Sequence, residues 1–409
     1  MSSKRVRILA MGTRDDVQPY LSLATHLKQE GFPVSVGTTN DLRSFVESYD
    51  LRCVTTGRPL QEVVRELMQR EGRQNARRVF FQALLDTAYQ LSENTDVLVY
   101  SSATTLAAPH IAEKLQVPAI PALTQPYLTP TDAFPAQGMP ALPLGPGYNT
   151  FSYSLLDSLS WFFTRSLINK WRRKSLGLRA YRGARTPFVG QRQSGAPILY
   201  GFSPLVVPAH WEENVHVTGY WFQPAPQNWQ PSRELEQFLE QGPPVLIHPG
   251  SMPPTSIRRI VRSFTEALQK SGIRAILIQN GVFPAEELPE NVLVSEPVPY
   301  EWLLPRVSAA VHYAGSYISG ACLRHGVPSL TIPYRVDQPF WAARIAALGA
   351  GMEPLSYHKL DAQTLMTALE TLRTDQALKQ RAVEVSKQLQ EEEGAAVAAR
   401  LIGAYLKQL

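Results

Sequence analysis

Short apolar runs alternate with helical segments from the start of the chain. Residues 5–11 form an apolar run with β-branched content, and residues 12–17 form the turn that follows it. Pro19 is expected near the first position of a helix that runs to about Glu30, because proline is tolerated where a helix begins. Residues 31–33, Gly-Phe-Pro, then end the helix. The beginning of the chain therefore predicts a strand, a turn and a helix.

The same alternation continues through the first half of the chain. Strands alternating with helices at such spacing indicate a parallel α/β sheet. The pattern predicts helices at residues 41–49 and 106–115, and strands at residues 34–37, 51–55, 97–100, 119–123, 198–201 and 215–218.

The alternation fails at residues 127–148, where prolines and glycines break any regular element. A loop of this length inside a compact domain is often functional or mobile. Residues 152–176 then predict a long helix that carries the aromatic residues Tyr153, Trp161, Phe162 and Phe163. Two interpretations of these rings stay open, namely ordinary packing and the lining of a pocket for an apolar ligand.

A proline-rich stretch, residues 221–231, is typical of a linker between domains. The fold class is therefore α/β, with two facing doubly wound parallel-sheet domains and a cleft between them, at residues 1–223 and 232–409. After the linker the alternation restarts, with strands predicted at residues 245–248, 275–278, 292–294, 308–311 and 329–332, and helices at residues 256–271, 317–325, 362–372, 375–393 and 395–406.

Composition and charge narrow the class of protein. A chain of 409 residues has room for two domains, each with its own core. With 44% hydrophobic and 18% charged residues, it has the composition of a globular protein. A net charge of +5, from 40 basic and 35 acidic residues, predicts no nucleic-acid partner. This modest basic excess is compatible with anionic ligands or with peripheral contact at an anionic membrane surface, and the oligomeric state stays open.

Cys53 and Cys322 lie in different halves of the chain, so neither a disulfide framework nor a cysteine-rich zinc site is predicted. The apolar run near the N-terminus ends at Met11, which is too short for the core of a signal peptide, and no later apolar cluster has the length to span a bilayer. We expect a cytoplasmic, reduced protein. Seven histidines are scattered without metal-ligand spacing and are interpreted as surface or packing residues: His26, His110, His210, His216, His248, His325 and His358.

The stretch with the most candidate chemistry is residues 311–337, in which a strand ends in the small-residue turn 314–316 and a helix follows. Backbone amides and the positive end of the helix dipole make such a turn a natural phosphate site. His312 at the strand end, and Asp337 and Gln338 after the next strand, are expected at the carboxyl edge of the sheet. Open α/β sheets bind their ligands at this edge, although the turn alone is equally typical of any doubly wound sheet.

Four segments carry a resemblance to a known family: residues 12–19 (GTRDDVQP), 217–221 (VTGYW), 250–252 (GSM) and 337–341 (DQPFW). Together they resemble the bacterial and fungal sterol and natural-product glycosyltransferases, over nearly the whole chain. The resemblance implies the two-domain GT-B fold, with an N-terminal acceptor-binding domain and a C-terminal donor-binding domain. It implies inverting transfer of a sugar from a nucleotide to a hydroxyl of a sterol, terpenoid or polyketide, with no metal and no cofactor besides the nucleotide sugar.

An acceptor hydroxyl is a poor nucleophile at neutral pH, so this reaction needs a base. In the family pattern Gly-Ser/Thr-Arg-Gly-Asp-Val, the aspartate resembles that base. Asp16 has the matching position and Asp15 replaces the usual glycine, so the resemblance implies these two as catalytic residues and Gly12 and Thr13 as part of the site. The alternative is that one of the two carboxylates only caps the following helix.

The leaving diphosphate needs hydrogen-bond donors aimed at its charge. In the family, Gly-Ser after a strand and His-His-Gly-Gly-Ala-Gly-Thr at the central turn supply them. This chain departs from the second motif and from the preceding Val-Pro-His segment at Tyr313, Ala314, Tyr317, Ile318 and Tyr300. The resemblance implies these donor-binding residues: Gly12, Thr13, Gly250, Ser251, His312, Tyr313, Gly315, Ser316, Tyr317, Asp337 and Gln338, the last two near the donor sugar.

Most of these departures remove a phosphate donor or add bulk beside the turn, so two other functions stay open. The first is an enzyme on the same scaffold that has lost sugar-nucleotide use and acts on a hydrophobic natural product through Asp15, Asp16 or His312. The second is a non-catalytic auxiliary protein, because a fold alone does not determine function. The presence of Asp16 argues against the second.

Overall fold

A computed structural model describes residues 4–71, 76–192, 195–250, 254–278, 288–334 and 337–409. These residues divide into two compact units, which are described separately. Unit 1 contains residues 1–204, 208–221 and 393–409, and unit 2 contains residues 205–207 and 222–392.

Unit 1 is built on a seven-stranded parallel sheet with the strand order β3-β2-β1-β4-β5-β6-β7. The central strands β1, β4 and β5 are buried along their whole length, which explains why β4 and β5 are continuous apolar runs rather than alternating ones. Arg7, the polar residue of β1, is buried and donates hydrogen bonds to the Ser35 hydroxyl and to the carbonyl of Leu91. The strands are β1 (Val6–Leu9), β2 (Val34–Gly37), β3 (Arg52–Val54), β4 (Val97–Tyr100), β5 (Ala119–Leu123), β6 (Ile198–Tyr200) and β7 (Val215–Val217).

Eight helices belong to the described residues of unit 1, and all but the last lie between its first and sixth strands in the chain. They are α1 (Arg14–Gln29), α2 (Arg43–Glu47), α3 (Leu60–Glu71), α4 (Ala76–Leu91), α5 (Ala108–Leu115), α6 (Gly145–Trp171), α7 (Pro187–Gln191) and the C-terminal helix α15 (Gly394–Gln408). The pattern had not predicted α3, α4 or α7.

Unit 2 is built on a five-stranded parallel sheet with the order β10-β9-β8-β11-β12. The strands are β8 (Val245–His248), β9 (Ala275–Ile278), β10 (Val292–Ser295), β11 (Ala309–His312) and β12 (Ser329–Thr331). The helices are α8 (Arg233–Glu240), α9 (Pro254–Ser271), α10 (Tyr300–Leu303), α11 (Ser316–Arg324), α12 (Gln338–Ala347), α13 (Ala362–Thr374) and α14 (Gln376–Gln390).

Both sheets reverse their strand order at one point, between β1 and β4 in unit 1 and between β8 and β11 in unit 2. The prediction of two doubly wound parallel sheets is confirmed. Because ligands of such sheets bind beyond the carboxyl ends of the strands where the order reverses, a ligand site is expected at the ends of β1, β8 and β11.

The start of α1 was predicted wrongly. Its N-cap is Thr13 and its first residue is Arg14, so Pro19 lies inside the helix rather than near its first position. The physical reason is a stronger start signal upstream, since the Asp16 carboxylate accepts a hydrogen bond from the amide of Thr13 and so satisfies an amide at the N-terminus.

The bounds of α6 also differ from the prediction. The helix begins at Gly145, within the predicted loop, and it ends at Trp171. Residues 172–176 continue as one wider π-helical turn, which Gly177 ends with a φ of 67°. Pro146 had counted against a helix, but it lies in the first turn, where proline is tolerated.

The C-terminal helix α15 belongs to unit 1, whereas the predicted second domain, residues 232–409, had included it. It packs against α1, and Ala398, Ala399 and Ile402 join the buried cluster that covers β1. The contact is close at its start, because a Cβ built on Gly394 would lie only 2.5 Å from the carbonyl oxygen of Tyr220.

In the described parts of the chain, no helix combines the length and the apolar character that crossing a membrane requires. Cys53 and Cys322 are both buried, and neither forms a disulfide.

We predict that Gly394→Ala destabilises unit 1 by about 1–3 kcal/mol, because the added methyl group meets backbone that has no room to move aside. The measurement is the urea midpoint followed by circular dichroism. Gly147→Ala is the matched control, since it also lies in the first turn of a helix and its added Cβ would meet no atom within 4 Å. Equal midpoints for the two variants would contradict the close packing of α15.

Candidate functional sites at the strand ends

The turn after β1 holds the carboxylate of Asp16 in a fixed place. Its Oδ2 atom accepts hydrogen bonds from the amide and the hydroxyl of Thr13, both at 2.8 Å. Gly12 has a φ of 140°, and a Cβ built on it would lie 2.5 Å from the same carboxylate oxygen. Only glycine therefore fits at this position while the carboxylate is folded back over the turn.

Asp16 therefore does cap α1, as the alternative interpretation of this residue expected. Capping does not exclude a second role, since the Asp16 side chain is exposed at the carboxyl edge of the sheet. Asp15 is half-buried and belongs to the same first turn of α1. What the arrangement supplies is an oriented carboxylate at the reversal point of the unit 1 sheet.

A small apolar cavity of about 40 Å³ adjoins this turn through Met11, the residue before Gly12. Its other walls come from α4, from α6 and from the segment between β4 and α5. At this volume it admits only a few water-sized groups, so a larger ligand enters only if α4 and α6 move apart. The lining includes Met11, Phe81, Leu85, Leu106, Leu167 and Ile168.

Ordinary packing accounts for two of the four aromatic residues of α6. Tyr153 and Trp161 are buried, and the Trp161 indole donates to the carbonyl of Gly183 at 2.8 Å, which is ordinary packing. Phe162 and Phe163 are exposed instead. Neither interpretation accounts for these two rings, because they neither pack in the core nor line the cavity.

In unit 2, two histidines stand side by side at the ends of β8 and β11, where His312 pairs in register with His248. Each ring accepts a backbone amide through Nδ1, from Gly250 to His248 at 3.2 Å and from Ala314 to His312 at 3.1 Å. The proton of each neutral imidazole is therefore on Nε2. Burial, with the neighbouring His248 adding to it, lowers the pKa of His312 to about 3.

The Nε2 atom of His312 is buried and has no hydrogen-bond partner among the described residues. A buried donor without an acceptor is uncommon, and one explanation is that a bound ligand accepts its hydrogen bond. His248 is buried and packs against the rings of Tyr300 and Tyr313, which agrees with its assignment to surface or packing, but the sequence did not predict its place beside His312. The available signal was its place as the last residue of an apolar strand, the same place that His312 has.

Tyr313 lies over the glycines that a phosphate would approach. A Cβ built on Gly250 would lie 2.5 Å from Cδ1 of Tyr313, and one built on Gly315 would overlap the same ring. The ring is half-buried, and its centroid lies 5.4 Å from that of His248 and 6.5 Å from that of Tyr334. The aromatic ring therefore covers the backbone that the family pattern leaves open with glycine.

Two of the other replaced side chains, Tyr317 and Ile318, point into the core. Ile318 is fully buried in the cluster that holds Leu303 and Tyr300. Tyr317 is 5% exposed, and its hydroxyl accepts the amide of Gln223 at 3.4 Å. Only Tyr313 therefore adds bulk over the turn.

The other predicted donor-binding residues lie at the N-termini of two helices, α11 and α12. Gly315 is the N-cap of α11, which begins at Ser316, and Ala314 before it has a φ of 60°, a conformation that favours glycine. Asp337 is the N-cap of α12, and the side chain of Gln338 accepts a hydrogen bond from the amide of Tyr334 at 2.8 Å. Ser251 lies outside the described residues. In the described parts of the chain, no three His, Cys, Asp or Glu side chains are grouped to hold a metal ion.

We predict that His312 makes folding pH-dependent. Its pKa is lowered from 6.5 to about 3 in the folded chain, so the unfolded state binds more protons between these values and stability falls as the pH falls from about 6.5 towards 3. His312→Gln should reduce this slope by at most about 1.4 kcal/mol per pH unit. Urea midpoints at pH 7.0 and 4.5 measure it. His26→Gln is the control. An unchanged slope in His312→Gln would refute the conclusion that His312 causes the pH dependence.

Family models match most of both halves of the chain. Residues 6–129 match the glycosyltransferase family 28 N-terminal domain. Residues 275–403 match the C-terminal domain of proteins like erythromycin biosynthesis protein CIII.

The chain is similar to fungal proteins named sterol 3-beta-glucosyltransferase. The protein of Debaryomyces hansenii is 32% identical over 95% of this chain and 26% of its own length. The protein of Saccharomyces cerevisiae is 33% identical over 96% of this chain and 34% of its own length. The chain therefore spans only about a quarter to a third of these relatives.

Solved structures share the whole fold at low sequence identity. The calicheamicin glycosyltransferase superposes with a TM-score of 0.68 and 17% identity, covering 100% of both chains. A glycosyltransferase of kitacinnamycin has a TM-score of 0.70 and 16% identity, covering 99% of this chain and 100% of that one. A Streptomyces glycosyltransferase complexed with thymidine diphosphate has a TM-score of 0.60 and 17% identity, covering 98% and 99%. On these matches, the chain belongs to the GT-B glycosyltransferase family.

Proposed function

We propose that this protein transfers a sugar from a nucleoside diphosphate donor to a hydroxyl of a hydrophobic acceptor, with inversion at the anomeric carbon. The observation that carries the proposal is the match of 95% of the chain to proteins named sterol 3-beta-glucosyltransferase. A sterol-like alcohol is the acceptor class that this match favours.

Unit 1 supplies the acceptor side in this proposal. The apolar cavity behind Met11 is the start of an acceptor pocket, which enlarges as α4 and α6 separate. The Asp16 carboxylate, held by Thr13, takes the proton of the acceptor hydroxyl. The acceptor oxygen bonds to the anomeric carbon while the bond from that carbon to the diphosphate breaks. Attack on the face opposite the diphosphate gives inversion.

Unit 2 supplies the donor side. The diphosphate gains negative charge as it leaves, and two features of unit 2 can offset that charge. One is the N-terminus of α11 after Gly315, and the other is the buried Nε2–H of His312. The fold shared with a protein complexed with thymidine diphosphate supports a nucleoside diphosphate as the ligand class. The proposed mechanism assigns charge stabilisation to these groups and uses no resident cofactor.

One observation favours a second candidate function. The Tyr313 ring covers Gly250 and Gly315, so a diphosphate reaches their backbone only after this ring turns aside. If the ring stays in place, the scaffold serves a different reaction on a hydrophobic natural product. Affinity for the donor distinguishes the two functions.

We predict that Asp16→Asn lowers the rate of sugar transfer by about 10²- to 10⁴-fold, because the amide cannot accept the proton. The variant should still fold, because the amide oxygen can accept the Thr13 hydrogen bonds that cap α1. Its donor affinity should stay the same, since the proposed donor-binding groups belong to unit 2. The measurement is transfer to a sterol from UDP- and TDP-sugars, with thermal unfolding as the check of folding.

Asp15→Asn is the matched control, because it removes the neighbouring charge from the same turn and should change the rate by less than tenfold. Wild-type turnover in Asp16→Asn would remove the base assignment.

We predict that Tyr313→His raises the affinity for nucleoside diphosphates by about tenfold or more, since it uncovers the two glycines and adds a donor. Restoring the family residues at Tyr317 and Ile318 as well would damage the core, so the single substitution is the sharper test. Calorimetric titration with UDP and TDP measures the affinity.

Tyr313→Phe keeps the ring and serves as the control, which should bind as weakly as the unaltered protein. If the unaltered protein binds tightly and Tyr313→His binds no better, the ring is part of the donor site rather than an obstacle. If neither binds, the second candidate function gains support.

A further inference from the structure

The outer face of α6 carries an exposed apolar surface. Phe162 is 59% exposed and Phe163 is 76% exposed, and their rings contact each other with centroids 5.4 Å apart. Leu159 and Phe151 continue the surface at helical spacing towards the start of α6. Among the described residues, six of the nine large hydrophobic side chains that are exposed lie between residues 142 and 163. A contiguous exposed apolar surface marks an interaction site more often than scattered side chains do.

The inner face of α6 is covered by the core of unit 1. Trp161, Ile168 and Trp171 are buried in the core of unit 1, and Leu167 and Ile168 also line the apolar cavity. The outer rings are therefore not a consequence of core packing, because α6 already has a complete apolar face without them.

The charge around α6 is strongly segregated. Residues 158–211 contain nine basic residues and no acidic residue, whereas the whole chain has a net charge of only +5. The remaining residues therefore carry a net charge of −4. Arg172 and Arg192 form ion pairs with Glu113 and Glu212. The other seven form no ion pair with the described residues, and six of them are exposed: Arg165, Arg173, Lys174, Arg179, Arg182 and Arg185.

One of these basic side chains contacts an exposed ring, and the others follow in the chain at the end of α6 and after it. The guanidinium of Arg165 stacks on the Phe162 ring at 5.0 Å. Arg173 and Lys174 continue from the end of α6. The segment 177–186, which carries the other three arginines, runs back along one flank of the helix. Its backbone oxygens accept hydrogen bonds at 2.8 Å, at residue 179 from the Arg172 side chain and at residue 183 from the Trp161 indole.

We propose that this face, which we call the α6 surface, docks on a lipid bilayer that contains anionic lipids. It consists of Phe151, Leu159, Phe162, Phe163 and the six exposed basic residues named above. Aromatic rings flanked by arginine and lysine suit the boundary between headgroups and acyl chains, where the rings enter the apolar layer and the cations meet anionic headgroups.

Docking through α6 also bears on the acceptor, and this step rests on the proposed function. A sterol-like alcohol resides in membranes rather than in water. The helix that would contact the bilayer with its outer face lines the cavity of unit 1 with its inner face. Movement of α6 on docking would therefore open the cavity towards the place where the acceptor is found.

The test is co-sedimentation of the full chain with large vesicles of phosphatidylcholine alone and of phosphatidylcholine with 30 mol% phosphatidylserine. We expect binding to the anionic vesicles, and at least tenfold weaker binding when the salt concentration rises from 0.1 to 0.5 M. The double variants Phe162→Ser with Phe163→Ser, and Arg173→Gln with Lys174→Gln, should each bind at least tenfold more weakly. The matched control is Val383→Ser with Lys387→Gln, which removes an exposed apolar and an exposed basic side chain from α14.

The proposal is overturned if the unaltered protein does not bind anionic vesicles. It is also overturned if the two α6 variants bind these vesicles as strongly as the control does. Self-association in the absence of lipid that the phenylalanine variant abolishes, without vesicle binding, would show a protein interface instead. Sugar transfer to a detergent-dispersed acceptor is measured separately and should be unchanged in both α6 variants. If the unaltered protein transfers no sugar, this result counts against the proposed function alone, since vesicle binding requires no turnover.

Discussion

Both sheets of this protein are parallel and covered on their two faces, and this constraint decides where chemistry can occur. A polar side chain in the middle of a buried strand has no water to bind, so β4 is apolar throughout and β11 is apolar up to its last residue. The exception is Arg7 in β1, which is buried and donates a hydrogen bond to the Ser35 hydroxyl at 2.8 Å. Polar groups appear where the strands end. The Thr13–Asp16 contact and the His248–His312 pair both occupy such ends, at the points where the strand order reverses.

The same constraint explains what was predictable from the sequence. The buried four-residue strands β4, β8 and β9 were predicted to the residue, because a buried parallel strand has no alternation to obscure its bounds. Helix ends were less accurate, as α1 and α6 show, since a proline signals the first turn only if nothing stronger lies upstream. The allocation of α15 to unit 1 depends on packing against α1, which no local pattern contains.

The candidate sites were predictable in position but not in geometry. The motifs located Asp16, Gly250, His312 and Gly315 at strand ends, where the structure has them. They did not reveal that Ile318 turns into the core while the Tyr313 ring lies over two glycines. Side-chain direction after a tight turn depends on backbone angles such as the positive φ of Ala314, and sequence spacing does not determine those angles.

The path of the chain through the two units has a consequence for how this protein can be divided. Unit 2 is inserted within unit 1, because the chain leaves unit 1 after Trp221 and returns at Glu393 for its final helix. A fragment that stops near residue 223 would lack α15 and leave the apolar face of α1 open to water, which favours aggregation. Joining α15 to such a fragment through a flexible linker would restore that face.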